Sequence, residues 1–199
     1  MKRVIIIAAM ALLGGLVTGV VGAAPAEARS CPSASIGGPA VAQIKVRNRT
    51  VPVKSVTFRN GGSLLPPATN RAAGISKRNQ PLRAKKGTTI ITWHVRYGVG
   101  CNGTLNPVLK MPLGATFTVA EVGKPAVTYR ITQNITVPKS GLKNRWFRRS
   151  GPHRLVLLTC ADLAGGVFRK TQVVIAARVK TPPVPVVPAP TDPAVPPVG

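Results

Sequence analysis

The sequence predicts an all-β domain, a barrel or a sandwich, and three observations carry that expectation. Between Ala40 and Val179 short runs alternate apolar with polar residues, the period of a half-buried strand. Gly or Pro separates one run from the next. No stretch of that interval carries a sustained helical period, and no internal repeat is visible.

Taken in order, residues 1–28 read as a targeting segment. Met1-Lys-Arg3 is a positive start, residues 4–21 are apolar, and Ala26 and Ala28 form an A-x-A pattern. That layout is an export signal cleaved after Ala28. The apolar stretch also approaches the ~20 residues that span a bilayer, so an uncleaved N-terminal membrane anchor is the alternative. Either way the body of the chain is exported, to the extracellular face of the membrane or as a secreted protein, where disulfides are permitted. Residues 29–40 read as a linker and 41–180 as the β domain. Its strand-like runs are 42–47, 51–58, 88–95, 116–122, 126–132, 155–159 and 171–179. Residues 181–199 hold Pro-Pro-Val-Pro-Val-Val-Pro-Ala-Pro and its continuation, which cannot build a packed core and reads as an extended, solvated tail.

Composition narrows the chemistry. A hydrophobic fraction of 44% is ample for a core. The acidic residues are only Glu27, Glu121, Asp162 and Asp192. Paired carboxylates for glycoside hydrolysis and oxygen clusters for calcium or magnesium are therefore excluded. His94 and His153 are the only histidines, which argues against a His-rich zinc site. The formal net charge of +24 attracts polyanions such as nucleic acid, anionic lipid or teichoic-type wall polymers. The segment Lys143-Asn-Arg-Trp-Phe-Arg-Arg149 interleaves aromatics with cations, as a single-strand nucleic-acid surface does; a solvated basic face is the other reading.

The three cysteines are an odd number in an exported chain, so one thiol is left over. The expected pairing is Cys31 with Cys101, in its Gly-Cys-Asn-Gly turn, leaving Cys160 free. Cys160 closes the apolar run 155–159; a loop at Gly165-Gly166 follows, and Arg169 stands just ahead of the run 171–179. A thiol at a strand end with a cation opening the next strand suits a nucleophile and a charge stabiliser. A buried cysteine in a core hairpin is the alternative.

His94, Cys160 and Arg169, in that order and each near a strand end, complete a constellation that resembles the sortase family, in particular its actinobacterial class E/F branch. Leu157-Leu-Thr-Cys160 looks like the family's Leu-x-Thr-Cys signature. Thr89-Ile-Ile-Thr-Trp-His-Val95 sits where the family has an apolar strand ending in its histidine. Ile44-Lys-Val46, Val51-Pro-Val53 and the Pro-Pro loop within 65–74 follow the family's opening order. Residues 127–132 with Val137-Pro-Lys139 resemble the segment before the cysteine strand.

The resemblance implies a closed eight-stranded β-barrel with short helical turns in its loops, and a cysteine transpeptidase needing no metal or cofactor. Its substrates would be surface proteins bearing a Leu-Pro-x-Thr-Gly-type sorting signal, and its acceptor an amine of a peptidoglycan precursor or a pilin. Cys160 would attack as thiolate, with His94 as imidazolium lowering the thiol's pKa and protonating the leaving amine. Arg169 would hold the oxyanion. Thr159 and Trp93 would be substrate-binding residues, Thr159 shaping the site beside the nucleophile. The chain departs from the branch at Trp93, where it has Gly, and at Ala161-Asp162, where it has Gly-Gly. Placing the last strand by its Val-Val-Ile core puts Lys170 in the arginine column; the guanidinium's fork geometry favours Arg169, and a one-residue slip exchanges the two. The competing function is a non-catalytic, basic sortase-fold module that binds anionic membrane or wall polymers or nucleic acid.

Overall fold

Alternation is the local cause of the architecture. In β1 (Ala42–Val46) Ala42, Ile44 and Val46 are buried while Gln43 and Lys45 are exposed, so one face must find apolar cover. The other strands are β2 (Arg49–Val56), β3 (Ala73–Ser76), β4 (Thr88–Thr92), β5 (Thr116–Glu121), β6 (Val127–Pro138), β7 (Arg154–Ala164) and β8 (Val167–Arg178); β5 and the start of β6 alternate likewise, whereas β4 and the middle of β7 and β8 are buried on both faces. In the computed structural model, which describes residues 31, 38–57, 64–98 and 100–179, these strands close into a barrel ordered β1-β2-β3-β4-β7-β8-β6-β5. Closure through the β1–β5 pair removes the sheet edges and decides between barrel and sandwich. Two neighbouring pairs, β2–β3 and β4–β7, are parallel. Short 3-10 turns at Asn106–Lys110, Lys139–Gly141 and Asn144–Trp146 are the only helical pieces among the described residues.

Two apolar clusters lie on opposite sides of the wall. Leu155 and Leu157 of β7 point into the barrel with Ile44, Trp93, Phe117, Tyr129 and Val174. Val156 and Leu158 point outward, where Ile90, Val173, Ile175 and Trp146 join them. The 3-10 turn at Asn144–Trp146 is thereby pinned onto the outer face, with Leu142 and Phe147 packed beside it.

One irregularity sets which residues of β6 belong to that outer face. Ile131 pairs with Ala176 and Gln133 with Ile175, so β6 carries one extra residue, Thr132. A bulge of this kind inverts the side-chain alternation beyond it. Tyr129 and Ile131 therefore sit inside, whereas Ile135 and Val137 pack outside against the second cluster.

The structure corrects several strand limits. β3 was not among the expected runs; it is four residues long, contains Gly74, and is held by its parallel neighbour β2. β7 does not stop at Cys160 but continues to Ala164, because β8 starts earlier than expected and pairs Leu163 with Phe168 and Ala164 with Val167. Gly165 and Gly166, at φ 58° and 78°, form the two-residue turn between them, the left-handed pair that a tight hairpin demands. Residues 1–28 and 181–199, on which the export and tail expectations rest, lie outside the described residues, as does Phe58 at the end of the run 51–58.

Candidate active site

The parallel register of β4 and β7 aligns Thr92 with Leu158. It is carried one residue further by the Trp93 amide, which donates to the Leu158 carbonyl at 3.3 Å. The Thr159 hydroxyl donates to the Trp93 carbonyl at 2.7 Å and closes the step. The next residues on the two chains are His94 and Cys160. Trp93 is buried inside the barrel at 2% exposure, so alternation turns His94 outward. Cys160 follows Val156 and Leu158 on the same outer side, so the two residues occupy neighbouring register positions on adjacent strands and face the same side, both partly buried.

The expectation that Trp93 and Thr159 contact substrate does not fit these positions. Both are buried, Thr159 at 4% exposure, and their polar groups are spent on the wall itself. The Trp93 indole Nε1 donates to Asn106 Oδ1 at 3.0 Å, and Asn106 Nδ2 donates to the Val95 carbonyl at 2.8 Å. The Gly103 amide donates to the same carbonyl at 2.9 Å. A Cβ on Gly103 would stand 1.9 Å from the His94 carbonyl oxygen, so only glycine lets this loop approach so closely. Trp93, Asn106, Gly103 and Thr159 together fix the backbone on both sides of His94. Trp93 anchors the histidine from within the barrel.

Cys31 and Cys101 are joined in a disulfide, and Cys160 is the free thiol. The bridge ties the residues ahead of β1 to the loop that follows His94. His153, the other histidine, lies near the opposite end of β7, where its Nε2 meets the Tyr129 hydroxyl at 3.1 Å. Burial, and then the charge of Arg178, bring its pKa down to about 4, so it is neutral and remote from the thiol.

On the next strand Cys160 faces Thr171, and Ala161 faces Lys170. Arg169 has the same parity as Thr171 and so shares the outer face with Cys160; it is exposed. Lys170 has the other parity, and its ammonium is held at 3.0 Å by Asp162. Asp162 leaves regular strand geometry at φ 58°. Of the two cations considered from sequence, then, Arg169 is the one on the thiol's side.

A third cation was not anticipated. Thr171 also pairs with Val137 of β6, and Lys139 follows two residues later at the start of a 3-10 turn. Beyond the Thr132 bulge this parity faces outward, toward Cys160. Burial raises the Cys160 pKa above the ordinary 9.0, and the Lys139 charge opposes that rise. Burial alone lowers His94 below its ordinary 6.5, its ring tilted against Tyr97 at 5.0 Å between centroids. Burial thus favours the neutral form of each group. The outer face beyond His94 opens into a groove of about 540 Å³, walled by His94, Tyr97, Ser55, Lys77 and the Leu65-Pro66 loop.

The basic-aromatic segment 143–149 is resolved in the same way. Trp146 is 2% exposed and Phe147 packs beside it, so neither ring is free to stack on a base.

No protein-family model and no curated protein matches the chain. Solved structures do. The barrel is similar to the pilus-related sortase C of Group B Streptococcus, with 18% identity and a TM-score of 0.55 over 72% of this chain and 69% of that one. Sortase C-1 from Actinomyces oris gives 17% identity and a TM-score of 0.55 over 72% of this chain and 76% of that one. Sortase A from Corynebacterium diphtheriae gives 17% and 0.55 over 73% and 63%. The fold of this chain is the sortase fold.

Proposed function

We propose that this sortase-fold barrel is an exported cysteine transpeptidase, with Cys160 as nucleophile and His94 as its acid–base partner. The observation that carries the reading is the β4–β7 register, which aligns His94 with the one free thiol of the described residues, both on the outer face. The residues do the following chemistry. The Cys160 thiol gives its proton to the His94 imidazole as Sγ attacks the scissile carbonyl. The imidazolium then protonates the departing amine, leaving a thioester on Cys160. An incoming amine attacks that thioester and its proton passes to His94; Sγ leaves as thiolate and takes that proton back, restoring thiol and imidazole. Arg169 is the outer-face guanidinium for the oxyanion, a charge not lost at working pH. Lys139 draws the thiol toward its thiolate. No step requires a metal or cofactor. The substrate class is a protein sorting signal of Leu-Pro-x-Thr-Gly type, and the acceptor is an amine of a wall precursor or a pilin; the likeness to a pilus-related sortase supports surface-protein or pilin substrates in general.

The test is cleavage of a panel of such peptides, with and without an amine acceptor. Cys160→Ala abolishes turnover and His94→Ala lowers it by about 10²–10⁴-fold, the usual weight of a positioned acid–base group. Thiol-independent cleavage, or none on any peptide, would refute the proposal.

A further inference from the structure

At the opposite end of the cysteine strand stands a second constellation that catalysis does not use. Arg154 opens β7, and its parity is that of Val156, Leu158 and Cys160, so it lies on the same outer face. Six residues at roughly 3.3 Å each put it about 20 Å from Cys160. Its Nε donates to the Thr88 hydroxyl at 3.1 Å, which fixes the plane of the guanidinium. Its Nη2 is buried and has no acceptor.

Two more arginines, both exposed, lie close enough for their charges to act on it. Trp146 is locked into the outer cluster with Ile90 and Val156, and Arg145 precedes it in the same 3-10 turn. Arg148 lies against the backbone of Gly151, where a Cβ would stand 3.0 Å from its Nη2. The segment carrying both is tied to the barrel by backbone bonds from Gly87 to Gly151 at 2.8 Å and from Arg154 to Gly87 at 3.0 Å. Arg149 is turned elsewhere, donating to the Arg78 carbonyl at 2.8 Å. Burial, and then the charges of Arg148 and Arg145, work against the Arg154 proton. A guanidinium does not give that proton up, so three like charges remain together.

No counter-charge among the described residues balances them. The two carboxylates among the described residues are committed elsewhere, Glu121 to Arg83 and Lys124, and Asp162 to Lys170. Like charges gathered around a buried, unanswered donor are costly unless an anion completes the set. Guanidinium forks match the oxygens of a tetrahedral oxyanion, several at once.

We infer that Arg145, Arg148 and Arg154 form a binding site for a phosphate group, and that its physiological bearer is a phosphodiester polymer. The overall +24 charge suits such a partner, because long-range attraction raises the local concentration of a polyanion. The site is independent of whether Cys160 is a nucleophile.

The experiment is thermal unfolding of the full chain in sodium phosphate against sodium chloride of equal ionic strength. It is followed by binding titrations with inorganic phosphate and with a glycerol-phosphate oligomer. Phosphate raises the melting temperature of the wild type and of Lys110→Gln, an exposed charge-matched control in the 106–110 turn. Arg148→Gln loses that rise and binds phosphate roughly tenfold more weakly or worse. In chloride it melts no lower than wild type, since it relieves repulsion. Arg148→Lys, keeping the charge without the fork, recovers only part of the binding. A tighter fit for the oligomer than for free phosphate assigns the site to the polymer; equal binding per phosphate overturns that part. An equal rise in all variants, or none in the wild type, overturns the site.

Discussion

Gly103→Ala is the sharpest structural test of how the histidine is held. The new methyl group would stand 1.9 Å from the His94 carbonyl oxygen and 3.0 Å from Asn106 Oδ1, whereas ordinary contact begins at 3.4 Å. Either the loop or the His94 backbone must retreat by about 1.5 Å, as both ends of the contact are main chain. The retreat strains the Gly103–Val95 bond at 2.9 Å and, through Asn106, its bonds to Val95 at 2.8 Å and to the Trp93 indole at 3.0 Å. Overpacking of this kind costs about 1–3 kcal/mol, or roughly 2–12 °C in melting temperature for a domain of this size. A catalytic group displaced by about 1 Å loses roughly 10² in rate. Peptide cleavage measured well below the melting temperature separates the two effects, because the variant is then folded. A Gly103→Ala protein with wild-type kcat/KM and an unchanged melting temperature would refute the reasoning that this loop positions His94.

Three further outcomes follow from the geometry. Alkylation of Cys160 by iodoacetamide follows its thiolate, so the rate climbs with pH to a midpoint above the ordinary 9.0; Lys139→Ala moves that midpoint higher still, and an unmoved midpoint removes Lys139 from the site. Stability falls as pH drops from 6.5 toward 4, because the unfolded chain takes up a proton on His153 that the folded chain refuses; His153→Gln flattens that limb in denaturant titrations, and an unaltered limb contradicts the assignment. Reducing the Cys31–Cys101 bridge in a Cys160→Ala background frees a 70-residue separation and lowers stability by about 4 kcal/mol on the chain-entropy account; an unaltered denaturation midpoint contradicts that account.

How much of this was legible in the sequence differs from residue to residue. The β runs and the order His94, Cys160, Arg169 could be read because alternation and motif order are local. β3 could not: four residues with a glycine carry too little pattern, and the strand exists because β2 lies beside it in parallel. Trp93 looked like a substrate contact because it precedes the histidine, but a strand sends neighbours to opposite faces, and it anchors the barrel interior. Lys139 was hidden by two non-local facts. β6 pairs with β8, which is not its neighbour in sequence, and the extra residue Thr132 inverts the alternation before Val137 is reached. Unbroken alternation from Tyr129 would have turned Lys139 away from the thiol. The cation choice at β8 likewise rested on register. Pairing of Cys160 with Thr171 gives Arg169 the thiol's face, while Asp162 holds Lys170. The basic-aromatic segment read as one surface from its composition; its aromatics turn down onto the outer cluster and leave its cations facing solvent.

The central claim is that the aligned His94 and Cys160 act as one catalytic pair. Its most direct measurement is mass spectrometry of the protein quenched during turnover of a sorting-type peptide. The account predicts an acyl mass added to the Cys160-bearing fragment, released by hydroxylamine, and lost in His94→Ala although iodoacetamide still labels that thiol. An alkylatable Cys160 that never carries an acyl group, across a peptide panel in the wild type, would contradict it.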